Sequence, residues 1–88
     1  MTDINIIPED MYKAALEFKK AGKETGEMLR KLDDTVGVLE KKWGGAAKQT
    51  FYKQYQEVQQ VMGGMSVYLK NISKEMEAMA ARFEKADK

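Results

Sequence analysis

Apolar or small residues follow one spacing rule through most of this chain. From Met11 to Trp43 they recur at intervals that alternate between four and three residues, and a second series from Phe51 to Phe83 keeps the same alternation. Because an α-helix completes a turn in about 3.6 residues, this spacing places each series on one helical face. The sequence therefore predicts two long amphipathic helices and an all-α fold.

The boundaries of these helices are marked by residues that start or stop a helix. Pro8 suits a first helical position, and the acidic residues Glu9 and Asp10 follow it at the positive end of the helix dipole. Gly44 and Gly45 separate the two series and favour a reversal of the chain. The prediction is one domain, an antiparallel helix-turn-helix hairpin. Its segments are helix one at about 8–42, a turn at 43–45 and helix two at about 46–87.

Two other arrangements fit part of the pattern. The apolar face could continue as one rod through Trp43, Ala47 and Phe51, but two adjacent glycines cost roughly 2 kcal/mol in a helix interior. A break at Gly63-Gly64 would give three helices instead. Since the apolar spacing continues without a slip across that second pair, we interpret it as a close-packing site or a local bend.

The predicted apolar surface is wider than one hairpin needs, because a flanking row accompanies each series. The flanking residues are Ile7, Ala14, Ala21 and Met28 on helix one and Val61 and Tyr68 on helix two. A second hairpin packed on the first would bury this surplus, which predicts a dimer that forms a four-helix bundle. The side chains assigned to the core or the dimer face are Phe18, Leu29, Leu32, Val36, Leu39, Phe51, Tyr55, Val58, Met62, Met65, Leu69 and Ile72.

The side-chain inventory argues against catalysis. The 88 residues include neither histidine nor cysteine, which removes the usual general base, thiol nucleophile and zinc ligands. Asp33 and Asp34 do not form a carboxylate pair, because neighbours in sequence point about 100° apart on a helix, and both are expected to face solvent. We therefore expect no enzyme activity, no metal and no cofactor.

Charge and hydropathy limit the expected partners. The 15 basic and 14 acidic residues leave a formal net charge of +1, so nucleic acid is not an expected partner. Polar residues interrupt the apolar ones between Met1 and Asp10, so no Sec-type signal peptide is visible. No apolar run reaches the ~18 residues of a membrane span, and stable membrane insertion is not expected.

Trp43-Gly44-Gly45 forms a Trp-x-Gly element midway between the predicted helices. Together with the chain length, both helices and the missing signal peptide, it resembles the WXG family of early-secreted-antigen-like (Esx) proteins over nearly the whole chain. The resemblance implies a hairpin that pairs with itself, as a homodimer, or with a paralogous WXG protein. It also implies secretion without a Sec signal by the membrane ATPase of type VII secretion, with the turn taking part in recognition as well as packing.

Members of that family often carry an export element of the form Tyr-x-x-x-Asp/Glu on or after the second helix. Here Phe83 and Asp87 have this spacing, with Phe in place of Tyr. Residues four apart share a helix face, so the pair fits a composite recognition surface. Phe83 equally fits the last position of the apolar series, with Asp87 as a solvated tail residue, and the sequence leaves both interpretations open.

The resulting functional hypothesis is a type VII substrate that acts outside the cell as a helical dimer, or escorts another substrate out. The alternative is an intracellular helical adaptor or chaperone for a larger protein. A membrane-active amphipathic protein is a third hypothesis, which the mixture of lysine and glutamate on the polar face does not favour.

Overall fold

Two antiparallel α-helices make up the described part of the chain, residues 7–86 of a computed structural model. Helix α1 spans Pro8–Glu40 and helix α2 spans Ala46–Ala86. The hairpin measures 65 × 23 × 14 Å, and its smallest dimension is close to the diameter of one helix with its side chains. The predicted helical hairpin is confirmed, and both helices meet solvent along most of their length.

The start of α1 is set locally. Ile7 is extended, with φ −86° and ψ 127°, and Pro8 follows it in the first helical turn. A backbone N–H at this position would have no intrahelical acceptor, so a proline there breaks no hydrogen bond of the helix. The carbonyl oxygen of Ile7 accepts hydrogen bonds from the backbone N–H groups of Asp10 and Met11 at 2.9 and 3.3 Å. The acidic residues Glu9 and Asp10 lie in the same turn, where they oppose the helix dipole.

The turn begins where α1 tightens. Helix α1 ends at Glu40, and the carbonyl oxygen of Leu39 accepts hydrogen bonds from the backbone N–H groups of both Lys42 and Trp43, at 2.9 and 3.0 Å. Gly45 then has φ +83°, a left-handed conformation that a residue with a Cβ rarely adopts. Because α2 starts at the next residue in the reverse direction, the chain is not a single rod.

Two serines of α2 join the helices in a constant register. Ser73 Oγ donates a hydrogen bond to the carbonyl oxygen of Ala15 at 2.6 Å, and Ser66 Oγ donates one to that of Gly22 at 2.7 Å. In both pairs the two residues are equally far from Gly44 in sequence. The helices therefore pair without a slip between these two points.

Glycines in the helices have different surroundings. A Cβ on Gly22 would lie 2.9 Å from the backbone oxygen of Ser66 and 3.0 Å from Cγ of Lys70, so the close approach here requires glycine. Helix α2 continues through Gly63 and Gly64, which excludes the three-helix arrangement for the described chain. A Cβ on Gly64 would meet nothing within 4 Å, so that residue is not a close-packing site.

The interface between α1 and α2 is narrow and built largely from small side chains. Its buried residues are Met11, Ala15, Gly22, Val36, Tyr55, Ser66, Ser73 and Ala80. Ser66, Ser73 and Ala80 recur every seven residues on α2, a row that the apolar series did not include. Since this row takes up one side of the interface, part of the predicted apolar series of α2 faces away from α1.

Candidate functional site

Trp43 lies at the turn end of the hairpin, with 44% of its surface exposed. Its ring meets the ring of Phe51 on α2 edge to face, with centroids 5.3 Å apart and planes at 76°, a geometry that aromatic pairs favour. One part of the indole is therefore packed against the hairpin. The remainder is accessible to a partner.

Phe51 continues a row of aromatic rings along α2. It stacks on Tyr55, one helical turn further on, with centroids 6.0 Å apart and planes at 6°. Tyr55 is buried, and its hydroxyl donates a hydrogen bond to Oδ1 of Asp33 on α1. Gln59 Nε2 donates a second hydrogen bond to the same oxygen, at 3.0 Å. We call Trp43, Phe51 and Tyr55 the aromatic ladder, and Asp33 anchors its far end.

As expected, Asp33 faces solvent, but its carboxylate also accepts hydrogen bonds that the sequence did not predict. Its side chain is exposed, yet the hydroxyl of Tyr55 and, to a lesser extent, the amide of Gln59 bond to the carboxylate and lower the pKa of Asp33. Burial, followed by the hydrogen bond to Asp33, raises the pKa of Tyr55 to about 12. The sequence spacing places Asp33 beside the apolar series of α1, and only the hairpin register brings Tyr55 opposite to it.

A shallow groove lies beside the turn, lined by Gly44, Gly45, Lys48, Tyr52 and Lys53, among other residues. The hydrogen bond between Tyr52 and the carboxylate of a neighbouring α1 residue, Glu40, is the main cause that raises the pKa of Tyr52. The two lysines give the groove positive charge, while the glycines leave its backbone uncovered. This combination suits a segment that carries carboxylates.

One flank of the hairpin carries a long row of exposed apolar side chains. On α2, Val61, Met65 and Tyr68 are 64%, 52% and 66% exposed, and on α1 Met28 is 58% exposed. Spacings of three and four residues keep such side chains on one face of a helix. We define the free apolar face by Ile7, Met28, Leu32, Leu39, Val58, Val61, Met65, Tyr68 and Met79.

The opposite flank of the hairpin is charged. Lys19 and Lys23 of α1 and Lys70 and Lys74 of α2 line a groove together with Glu77. Charged side chains of this kind are solvated readily and resist burial against an apolar partner. This flank is therefore less suited to packing against another helix than the free apolar face is.

At the open end of the hairpin, Phe83 is 41% exposed. Asp87, its predicted partner in an export element, lies outside the described residues. Next to Phe83, Glu84 faces Tyr12 of α1, and partial burial, followed by the carboxylates of Glu84 and Glu77, raises the pKa of Tyr12. Sequence reasoning missed this contact because Tyr12 lies outside the apolar series.

The family of the chain follows from its sequence over residues 3–88, which matches the family described as proteins of 100 residues with WXG. The chain belongs to the WXG100 family. Its single tryptophan, Trp43, lies in the exposed turn between the helices. A comparison with curated proteins found no match.

Solved structures of Esx proteins have the same fold as this WXG100 chain. EsxB of Bacillus anthracis, described as a secreted protein, is 28% identical with a TM-score of 0.87, and the alignment covers 100% of both chains. Its E54Q variant is 30% identical with a TM-score of 0.86, covering 100% of this chain and 98% of that one. EsxA of Geobacillus thermodenitrificans is 26% identical with a TM-score of 0.83, covering 91% and 89%.

The residues predicted for the core or dimer face of this WXG100 chain divide into three groups. Val36 and Tyr55 are buried between the helices. The half-buried group comprises Phe18, Leu29, Phe51, Met62, Leu69 and Ile72, and the exposed group comprises Leu32, Leu39, Val58 and Met65. The exposed group lies on the free apolar face, and its burial in a dimer stays a prediction. Neither helix of the described chain has a stretch long and apolar enough to cross a membrane.

Proposed function

We propose that this WXG100 chain is a small type VII secretion substrate that acts as a helical dimer, outside the cell or as the export partner of another substrate. The free apolar face is the observation that carries the proposal. Burial of apolar surface yields roughly 25 cal/mol for each Å² removed from water. A long exposed apolar row on a small soluble chain therefore favours a partner that covers it.

A second hairpin has the shape that this face requires. The apolar rows follow both helices of a structure 65 Å long, so a partner with two antiparallel helices side by side covers both rows at once. A second copy has the same rows, and a formal net charge of +1 per chain produces little repulsion between copies. A paralogous WXG protein is the alternative partner. Light scattering of the purified chain distinguishes pairing with itself from pairing with a paralogue, since only the homodimer gives a mass near twice 10.0 kDa without another protein.

An antiparallel dimer also brings two candidate recognition elements together. In that arrangement the turn of one copy lies beside the open end of the other. The positively charged groove with Lys48 and Lys53 then approaches the carboxylate of Glu84 of the second copy. Trp43 and Phe83 contribute exposed aromatic rings at the same end of the bundle. We propose this combined surface as the one that the secretion ATPase binds.

Export is tested by comparing culture supernatants from cells with an intact and a disrupted type VII ATPase, with a cytosolic protein as lysis control. The proposal expects the chain outside the cell only when the ATPase is intact. Retention inside the cell in both strains would contradict the proposal. An intracellular adaptor or chaperone would then be the better account of the free apolar face.

Three variants test the recognition surface within the same assay. Trp43→Ala and Phe83→Ala are expected to abolish export without changing the dimer mass, whereas Val67→Ala is expected to be exported normally. Val67 is the matched control because it is an apolar residue, 58% exposed, near the middle of α2 and outside the free apolar face. Equal loss of export with all three variants would indicate a general defect in the protein and would contradict the proposed recognition surface.

A further inference from the structure

We propose that Asp33 is a positioning residue for Trp43, which acts through Tyr55 and Phe51 to hold the tryptophan ring in the orientation that a partner meets. The importance of Trp43 in export rests on the proposed function. The positioning itself is a property of the folded chain and can be measured without export.

The ring of Trp43 lies at the turn and is held in part by one aromatic contact. The hydrogen bond from its backbone N–H to the carbonyl oxygen of Leu39 fixes the main chain but not the indole. The ring is 44% exposed, and its aromatic contact is the ring of Phe51. A partly exposed ring that packs edge to face on another ring depends on that ring for its own orientation.

The support for Phe51 comes from Tyr55. Their rings are nearly parallel, so a rotation of Tyr55 would remove the surface on which Phe51 stacks. Tyr55 has two constraints, burial at the interface between the helices and the hydrogen bond from its hydroxyl to Asp33. Gln59 holds the same carboxylate oxygen from α2. The ladder is thus anchored to α1 at its far end, and the anchor is Asp33.

A second tyrosine–carboxylate contact provides a control within the same molecule. The carboxylate of Glu40, close to the turn, interacts with Tyr52 and raises its pKa, whereas Tyr55 donates a hydrogen bond to Asp33. Glu40 is only three residues from Trp43 in sequence, but the Tyr52 ring is not part of the aromatic ladder. If proximity to the turn determined the orientation of the indole, loss of the Glu40 carboxylate would disturb it more. If the aromatic ladder determines it, loss of the Asp33 carboxylate disturbs it more.

The experiment uses the full chain and its single tryptophan as the reporter. Near-UV circular dichroism and fluorescence anisotropy of Trp43 are measured at one protein concentration for Asp33→Ala and Glu40→Ala. We expect Asp33→Ala to lose the near-UV signal of the indole and gain ring mobility, with the far-UV helical signal unchanged. Glu40→Ala is expected to keep the indole signal of the parent chain.

Tyr55→Phe covers the case in which Asp33→Ala disturbs α1. This variant keeps the stacked ring and removes only the hydroxyl, so the same loss of indole signal is expected. Asp33→Asn retains an oxygen that accepts from Tyr55 and should restore part of the signal. An unchanged indole signal in both Asp33→Ala and Tyr55→Phe would overturn the proposal. A loss of indole signal in Glu40→Ala equal to that in Asp33→Ala would also overturn it.

Export of the same variants separates this proposal from the proposed function. If Asp33→Ala loosens the indole while export continues, the positioning role stands and the recognition role of Trp43 fails. If the indole is unchanged in Asp33→Ala while Trp43→Ala blocks export, the recognition role stands and the positioning role fails.

Discussion

Ser73 donates a hydrogen bond across the interface between the helices to the backbone carbonyl oxygen of Ala15, at 2.6 Å. Ser73 is 2% exposed and Ala15 is fully buried, so water does not compete for this bond. Both side chains are small, which allows the two helix backbones to come close. Ser73 therefore contributes a hydrogen bond and close packing at the same position.

Ser73→Ala should lower the free energy of unfolding by about 1 kcal/mol, since it removes one shielded hydrogen bond while preserving the volume. Ser73→Val should lower it further, because extra methyl groups at a close approach force the helices apart. Urea unfolding followed by circular dichroism measures both effects. Thr35→Ala is the control, because Thr35 bonds only within its own helix and is exposed. A loss of the same size in the control would contradict this interpretation.

Gly22→Ala and Gly64→Ala should change stability in opposite directions. In a helix interior, alanine is favoured over glycine by roughly 0.5–1 kcal/mol. Gly64 has open space for the new methyl group, so Gly64→Ala should stabilise the hairpin by that amount. At Gly22 the methyl group would collide with the backbone oxygen of Ser66 at 2.9 Å, so Gly22→Ala should destabilise it. Thermal unfolding of the two variants and the parent chain at equal concentration shows whether the melting temperature rises with Gly64→Ala and falls with Gly22→Ala.

Tyr55 should make the hairpin sensitive to alkaline pH. Its pKa rises from 10.0 to about 12 on folding, so the folded chain keeps the phenol protonated where the unfolded chain ionises it. The stabilisation is complete below pH 10.0 and is lost as the pH rises to about 12. Melting temperatures of the parent chain and Tyr55→Phe should therefore converge across this range. Parallel curves for the two proteins would contradict the prediction.

Asp33 should produce the corresponding effect in acid. Its hydrogen bonds to Tyr55 and Gln59 lower its pKa below 3.8, so its contribution to stability is present above that pH and is lost as the pH falls through the lowered value. Acid unfolding of the parent chain and Asp33→Asn, followed by circular dichroism, checks this. Because asparagine does not titrate, the difference in stability between the two proteins should shrink as the pH falls.

Met65→Lys should convert the proposed dimer into a monomer or a much weaker dimer. Met65 is central to the free apolar face, and burial of an unpaired ammonium group at an apolar interface is strongly unfavourable. Val67→Lys is the matched control, since Val67 is similarly exposed, at 58%, but two residues further along α2 and therefore on another side of the helix. Light scattering over a range of concentrations measures the mass, and an unchanged mass with Met65→Lys would contradict the proposed interface.

The sequence alone determined the hairpin. The three-and-four spacing predicted both helices, Pro8 predicted the start of α1, and the pair Gly44-Gly45 predicted the place where the chain reverses. These features are local, because helix periodicity, a missing N–H and a left-handed φ depend on residues close together in the chain. The Trp-x-Gly element in this setting was also sufficient to indicate the family.

Only the tertiary structure decided which part of each apolar series faces the other helix. Periodicity defines a helical face but not its partner, so it could not show that Ser66, Ser73 and Ala80 occupy the interface while Val58 and Met65 turn outward. That choice depends on how closely two backbones can approach, which favours small side chains and a hydrogen bond over larger apolar ones. The contact between Asp33 and Tyr55 has the same origin, because it exists only once the turn has set the register of the two helices.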